Sequence, residues 1–140
     1  MRPHPSPSVL IDTDVLSFFF NQDPVRVPRY RPHLEDHSLY ISFVTVAEMR
    51  YGARLRGRGP SRLSALDHFF ERYTMVGSSP DLGSAWAEIR AHTRRAGRPI
   101  ASQDSWIAAA AVILEMPLVT HNATHFQHVP LLRIITEPDG

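Results

Sequence analysis

The chain has 140 residues, of which 43% are hydrophobic and 21% are charged, a composition typical of one soluble globular domain. It contains no cysteine, which excludes disulfide bonds and thiolate metal sites, and its formal net charge of +1 neither favours nor excludes a nucleic-acid partner. No uncharged apolar run approaches the ~18 residues of a membrane span, and the proline-rich start is unlike a secretory signal, so we expect a cytoplasmic protein.

In chain order, five short segments rich in β-branched and aromatic residues predict strands. Before the first of them, residues 1–7 are proline-rich and typical of a flexible arm. The predicted strands are SVLI, LYISFVT, TMVG, PLVTHN and LLRIIT. We expect residues 8–136 to form a single domain, and residues 137–140 to form a short C-terminal tail.

Helical patterns separate these strands. They cover residues 15–20, 45–55, 61–73, 80–96 and an apolar segment that ends before Pro117. We expect Thr13 or Asp14 to cap the first helix, and we expect the proline- and arginine-rich stretch after it to be a helix or an irregular connection. Strands that alternate with helices predict an α/β fold, in which helices cover both faces of a parallel sheet of four to five strands.

One acidic residue interrupts the most apolar helical segment, PIASQDSWIAAAAVIL, at residues 99–114. Apolar side chains fall on nearly every face of this helix, so it belongs in the protein interior. Asp104 lies in its first turn, where burial would remove a charge from water. The position therefore points to a group that compensates this charge.

Four oxygen-bearing side chains stand near the ends of predicted elements. Asp12 directly follows the first strand, and Glu48 lies a few residues past the second. Asp104 begins a helix, and Asn122 ends the strand PLVTHN. Because ligands bind beyond the carboxyl ends of parallel strands, we expect these residues to meet at one edge of the sheet. Their oxygens suit a hard cation such as Mg²⁺ or Mn²⁺.

Each of these residues also has a purely structural explanation. Asp12 could be a turn residue or a helix cap, and Asn122 could be an ordinary turn residue. Glu48 fits a capping box in which Thr45 caps the helix and the glutamate reaches back. The positive end of its helix could stabilise Asp104. Taken one at a time, the residues leave both explanations open.

Four segments occur together in a characteristic order and spacing: VLIDTDVL, ISFVTVAEMRYG, GRPIASQDSWIAAAA and LVTHNATHF. Together they resemble the PIN-domain family, and most closely its toxin branch, the VapC ribonucleases of toxin–antitoxin systems. The resemblance runs from about Val9 to Ile135. It implies a PIN-like α/β/α sandwich with a central parallel sheet and an acidic pocket.

The resemblance also implies a catalytic set. Asp12, Glu48 and Asp104 match the three acids of the family, which would hold Mg²⁺ or Mn²⁺. Asn122 falls where many members carry a fourth acid, and an asparagine there removes one charge. The implied reaction is hydrolysis of an RNA phosphodiester bond by a metal-activated water, which leaves a 5′-phosphate and a 3′-hydroxyl.

Further implications concern supporting residues and partners. Thr13 and Thr120 match small polar positions that orient ligands or water, whereas Asp14 is not expected to be a ligand. The implied partners are an RNA substrate, a cognate VapB-like antitoxin and a second copy of the chain in a homodimer.

Two arginine-rich segments, RYGARLRGRGPSR and IRAHTRRAGR, lie near the predicted acids in sequence. Guanidinium groups suit phosphate, so arginines around an acidic pocket would make RNA binding dependent on salt. We predict RNA contacts from Arg50, Arg54, Arg94, Arg95 and Arg98. The alternative is that these residues form solvated helix faces.

The histidines of HNATH, His121 and His125, are spaced four apart. This spacing can indicate zinc on a helix, but the segment is predicted to be strand and loop, and the chain has no cysteine. We therefore do not expect a zinc site.

Other functions are compatible with the same pattern. One is a PIN nuclease that acts in RNA maturation rather than in growth control, and another is an inactive PIN-like module that binds RNA or protein without cutting. The presence of Asp12, Glu48 and Asp104 argues against the inactive module. A nucleotide-binding Rossmann-type enzyme is disfavoured, because no glycine-rich phosphate loop follows the first strand.

Overall fold

The structure is a computed structural model that describes residues 7–57 and 59–140. Only Pro7 of the predicted N-terminal arm falls within this range, and the rest of that arm lies outside the described residues. The described residues form five strands, β1 (Ser8–Ile11), β2 (Ser38–Ser42), β3 (Thr74–Val76), β4 (Leu118–Val119) and β5 (Ile134–Ile135). They also form seven helices, α1 (Thr13–Phe20), α2 (Arg26–Leu34), α3 (Phe43–Leu55), α4 (Gly59–Phe70), α5 (Pro80–Arg95), α6 (Ser102–Ile113) and α7 (Ala123–Phe126).

The five strands form one parallel sheet in the order β3-β2-β1-β4-β5. In the central strand, Leu10 is in register with Tyr40 of β2 and with Leu118 of β4. From β1 the chain moves outward through β2 to β3, then returns to add β4 and β5 on the other side. The strand order therefore reverses between β1 and β4, which is where open parallel sheets bind their ligands.

Helices cover both faces of the sheet, as the sequence predicts. Alternate residues of β1 point to opposite faces: Leu10 belongs to one buried cluster, and Val9 and Ile11 belong to the other. The first cluster contains the apolar residues of α5 and α6, and the second contains those of α1, α2 and α4. Helix α3 contributes to both clusters. The α/β/α arrangement with a parallel sheet is thus confirmed.

Two predicted helix starts are wrong. The strand predicted as LYISFVT ends at Ser42, whose hydroxyl accepts a hydrogen bond from the Val44 amide at 3.1 Å and so caps α3. Thr45 lies inside α3, which removes the predicted capping box with Glu48. At α1 the cap is Asp12 rather than Thr13 or Asp14. In both cases a polar residue at the end of the strand or directly after it caps the helix that follows.

The segment HNATHF was predicted as strand and loop, but Ala123–Phe126 forms the short helix α7. One turn of helix is too short to show a hydrophobic period in the sequence. Its last residue, Phe126, is only 1% exposed and packs into the cluster that contains α6. The preceding residue, His125, lies 3.5 Å from Asp104, so α7 stands next to the first turn of α6.

The C-terminal residues 137–140 have no regular secondary structure, but they are attached to α2. Asp139 contacts Arg26 at 2.8 Å, and Glu137 contacts His33 at 2.7 Å. The Glu137 amide also donates to the Tyr30 hydroxyl at 3.1 Å. Among the described residues, no helix has the length and apolarity needed to span a membrane.

Candidate active site

Asp12 lies at the point where the strand order reverses. Its amide donates to the Val119 carbonyl at 2.9 Å, which holds the end of β1 against β4. One carboxylate oxygen accepts the Thr13 amide at 2.8 Å, and the other accepts the Thr120 hydroxyl at 2.7 Å. The residue is only 6% exposed. A strand end and a helix start therefore fix this carboxylate in one orientation.

The environment of Asp12 disfavours its charged form. Burial raises its pKa from an ordinary value of 3.8 to about 7, and the charges of Asp14 and Asp104 add to this effect. The hydrogen bonds from Thr120 and Thr13 act in the opposite direction but do not offset the burial. A cation beside this carboxylate would relieve the cost of its charge.

Glu48 reaches the same region from α3. Its carboxylate accepts a hydrogen bond from the Thr13 hydroxyl at 3.4 Å, and that hydroxyl is also 2.9 Å from the hydroxyl of Thr45. Partial burial raises the pKa of Glu48, the bond from Thr13 lowers it, and the charges of Asp104 and Asp14 raise it further. Glu48 therefore faces the other acids, where the sequence had also allowed a capping role.

Asp104 lies in the first turn of α6, and its side chain is 25% exposed. The turns that follow are buried, since Ala108 and Ala109 have no exposed surface. Burial raises the pKa of Asp104, whereas His125, with Nδ1 at 3.5 Å from the carboxylate, lowers it. The apolar helix thus carries an acid because only its first turn reaches the open edge of the sheet.

Two further polar residues follow β4. The Thr120 hydroxyl, which donates to Asp12, also accepts the Asn122 amide at 3.1 Å. Asp14 accepts the amides of Val15 at 2.7 Å and His121 at 3.1 Å, one on each carboxylate oxygen. Burial raises the pKa of Asp14, and these two amide bonds lower it. The backbone bonds hold Asp14 in place at the back of the acidic group.

These residues surround one open cleft of about 400 Å³. It is lined by the predicted catalytic residues, by Thr13 and by four residues that were not predicted as part of the site; the full lining is Asp12, Thr13, Asp14, Glu48, Ala101, Gln103, Asp104, Asn122 and His125. Thr120 lies behind Asp12. Recognising α7 as a helix would have indicated His125, because it stands one turn after Asn122.

The predicted arginines are not gathered at this cleft. Arg98 and Arg94 line two separate neighbouring grooves, and Arg50 is paired with Asp67 at 2.7 Å. Arg54 and Arg95 are exposed on α3 and α5 and do not line the cleft. Of the five, only Arg98 lies in a groove that shares residues with the acidic cleft.

The donor chemistry of the cleft fits a hard divalent cation. Its acids provide oxygen ligands, and the raised pKa of Asp12 shows how strongly the site disfavours uncompensated charge. In residues 7–57 and 59–140, no three histidine, cysteine, aspartate or glutamate side chains stand close enough to hold one ion together. In proteins, Mg²⁺ usually takes one or two carboxylates and completes its shell with waters and substrate phosphates.

Comparison with known proteins places the chain among nucleases. Residues 9–131 match the PIN domain model. The tRNA(fMet)-specific endonuclease VapC of Shigella flexneri is 30% identical over 124 residues, which cover 89% of this chain and 93% of that protein. Ribonuclease VapC1 of Haemophilus influenzae is 26% identical over 121 residues, with 86% and 90% covered.

The fold has relatives among solved structures. A chain in the crystal structure of DNA-bound VapBC from Salmonella typhimurium superposes with a TM-score of 0.79 at 25% sequence identity. The match covers 94% of this chain and 98% of that chain. Because the PIN domain model matches residues 9–131 and a 30% identical relative aligns with 89% of the chain, the protein belongs to the PIN-domain family.

Proposed function

We propose that this protein is a VapC-type toxin endoribonuclease, which hydrolyses RNA phosphodiester bonds with Mg²⁺ or Mn²⁺ in the acidic cleft. Family membership and the ribonuclease names of its relatives support the reaction class. The observation that carries the proposal is the buried carboxylate of Asp12, kept beside other acids at the ligand-binding edge of the sheet. Asp12 also caps α1, but its burial beside other acids disfavours its charge, and a bound cation would offset that cost.

Asp12, Glu48 and Asp104 would hold the metal, in pairs or together once the RNA phosphate contributes its own oxygens. When bound, a divalent cation supplies Lewis acidity: it lowers the pKa of a water and neutralises charge that develops on the phosphate. Every carboxylate must be ionised to act as a ligand, so the metal also offsets the raised pKa of Asp12.

The surrounding residues would hold this arrangement in place. Thr120 fixes one oxygen of Asp12, and the Thr13 hydroxyl joins Glu48 to the same strand end. The side-chain amides of Asn122 and Gln103 line the cleft without adding charge, so they can donate hydrogen bonds to phosphate oxygens. Asp14 remains a positioning residue in this account, since backbone amides occupy both of its oxygens.

The proposed partners follow from the same family. The solved relative from Salmonella typhimurium is a DNA-bound VapBC complex, and it supports an antitoxin of the VapB type as the partner of this chain. We propose in addition that the protein acts in the cytoplasm, where its RNA substrate is found, and that it is a homodimer.

The test is cleavage of labelled single-stranded RNA by the purified protein, with Mg²⁺, with Mn²⁺ and with a chelator. We expect cleavage only with metal, and we expect Asp104→Asn to reduce it by more than about 100-fold. Asp67→Asn is the matched control, because this exposed aspartate pairs with Arg50 away from the cleft. Cleavage in the chelator, or an Asp104→Asn protein as active as the control, would contradict the proposal. RNA binding without cleavage under every condition would instead favour an inactive module.

A further inference from the structure

A second groove opens from the acidic cleft on the side of Asp104. It has a volume of about 430 Å³, within the range of about 300–1,000 Å³ typical of small-ligand sites. Ala101, Asp104 and His125 line both spaces, so the groove continues the cleft around the His125 ring. An extended ligand bound across the acids can therefore continue into the groove along the protein surface.

The chemistry of the groove differs from that of the cleft. The cleft is lined by four acids, whereas Asp104 is the only acid in the lining of the groove. The other polar groups there are mostly hydrogen-bond donors, which come from Arg98, His125, Gln127 and His128. The lining thus changes from mainly carboxylates in the cleft to mainly hydrogen-bond donors in the groove, and the change occurs where His125 contacts Asp104.

The groove also has an apolar floor. Ile100 and Val129 each have only 6% of their surface exposed, and they line the groove together with the exposed Arg98 and His128. Among the described residues, no carboxylate lies within 4 Å of the Arg98 guanidinium, in contrast to Arg50, which is paired with Asp67. The Arg98 charge is therefore available to a ligand. An apolar floor beside cationic and donor groups suits a nucleotide, whose base has flat apolar faces and whose phosphate is charged.

We propose that this groove is a nucleotide subsite, which holds the RNA nucleotide next to the scissile phosphate. Arg98 and His128 bind the phosphate of that nucleotide, the floor packs against its sugar or base, and the His125 side chain lies at the junction with the cleft. The inference rests on the proposed ribonuclease function and extends it to a specific position of the RNA. It explains how a strand with many negative charges approaches a cleft lined by acids: the neighbouring phosphate is bound by a cation.

The experiment measures kcat and KM for cleavage of a short single-stranded RNA with one mapped cleavage site. The variant is Arg98→Ala combined with His128→Ala, which leaves Asp104 and His125 intact. We expect KM to rise about tenfold while kcat stays within about twofold, and the salt dependence of binding to weaken by about one unit of slope. The matched control is Arg72→Ala with His68→Ala. These residues are exposed near the end of α4, so the control removes one guanidinium and one imidazole away from the groove.

Shortening the RNA provides a second test. Removal of nucleotides on one side of the cleavage site should raise KM for the unaltered protein by a similar factor. The same truncation should then have no further effect on the Arg98→Ala, His128→Ala protein, because variant and truncation remove the same contact. Additive effects would overturn the proposal, as would equal KM values for the variant and its control.

A direct binding measurement distinguishes failure of the nucleotide subsite from failure of the proposed ribonuclease function. In an Asp12→Asn background with a chelator present, fluorescence anisotropy with the same RNA should show weaker binding for the groove variant than for its control. If the unaltered protein cleaves RNA and the groove variant binds and cleaves like the control, the subsite is wrong and the ribonuclease function stands. If the unaltered protein neither binds nor cleaves RNA, both proposals fail.

Discussion

Two groups of carboxylates in this molecule respond to their surroundings in opposite ways. At the edge of the sheet, burial raises the pKa of Asp12 to about 7 and also raises that of Asp104. Against α2, hydrogen bonds from Arg26 lower the pKa of Asp23 and of Asp139 in the C-terminal tail. The same type of side chain is disfavoured as a charge in one place and favoured in the other.

The carboxylates near α2 stabilise the fold when they are ionised, whereas the ionised carboxylates of the cleft destabilise it. The Asp23 and Asp139 carboxylates contribute to stability because their partners favour the ionised form. The cleft carboxylates cost folding free energy whenever they are charged without a cation. We attribute their position together at one edge of the sheet to a ligand that offsets this cost.

The largest effect is expected from Asp12→Asn, which keeps the shape of the side chain and removes its charge. Cleavage of RNA should fall by more than about 100-fold, because a metal ligand is lost. In metal-free buffer near pH 8, the free energy of unfolding should rise by on the order of 1–4 kcal/mol, since a buried charge disappears. Equilibrium denaturation and the cleavage assay measure both. A variant that is both inactive and less stable would show that Asp12 is needed for folding instead.

The pH dependence of stability should differ between the two groups. The folded-state pKa of Asp12 is raised, so its contribution is fully present below about pH 3.8 and is lost as pH rises toward 7. The pKa of Asp139 is lowered below its ordinary value of 3.8, so its contribution is present above about pH 3.8 and is lost as pH falls further. The metal-free protein should therefore be most stable in mildly acidic buffer. Denaturation at several pH values tests this, and stability that increases steadily from pH 5 to 8 would contradict it.

Thr120→Val tests the support of Asp12 with a smaller change. It removes the hydroxyl that donates to Asp12 and accepts the Asn122 amide, in a residue with no exposed surface. Activity should fall by about 10- to 100-fold, and the free energy of unfolding by about 1–2 kcal/mol. Thr120→Ser keeps the hydroxyl and should retain most of the activity. Equal activity of the two variants would show that this hydrogen bond does not orient the carboxylate.

The smallest effect is expected at the tail. Arg26→Ala removes the partner of both Asp23 and Asp139, which lie on the surface, so the loss of stability should be slight. Its RNA cleavage should stay within about twofold of the unaltered protein, since Arg26 does not line the cleft. A large loss of cleavage would show that the tail is coupled to the cleft. His121 would then connect them, because its ring contacts Asp139 and its backbone amide donates a hydrogen bond to Asp14.

The sequence was sufficient to predict the parallel sheet and the convergence of the acidic residues at one of its edges. Strands such as SVLI are short apolar runs followed by a polar residue, and alternation with helices dictates a parallel sheet whose carboxyl ends share one edge. This is why the cleft lining includes Asp12, Glu48, Asp104 and Asn122, although they are far apart in the chain. Their roles as catalytic residues and ligands stay predictions.

What could not be predicted depends on single hydrogen bonds or single turns. The end of β2 at Ser42 is set by a cap, because Phe43 to Thr45 have the composition of a strand and still begin a helix. Helix α7 is one turn long and is held by the burial of Phe126. The attachment of Asp139 to Arg26 joins residues 113 positions apart, and no periodic pattern records such a contact.

Cation binding by the cleft acids can be measured through the unfolding free energies of the unaltered protein and Asp12→Asn near pH 8, with a chelator and with MgCl₂. Without metal, Asp12→Asn should be the more stable protein; with saturating Mg²⁺ the order should reverse, because only the unaltered protein gains binding energy in the folded state. An unaltered protein whose stability is unchanged by Mg²⁺ and by Mn²⁺ would contradict the account.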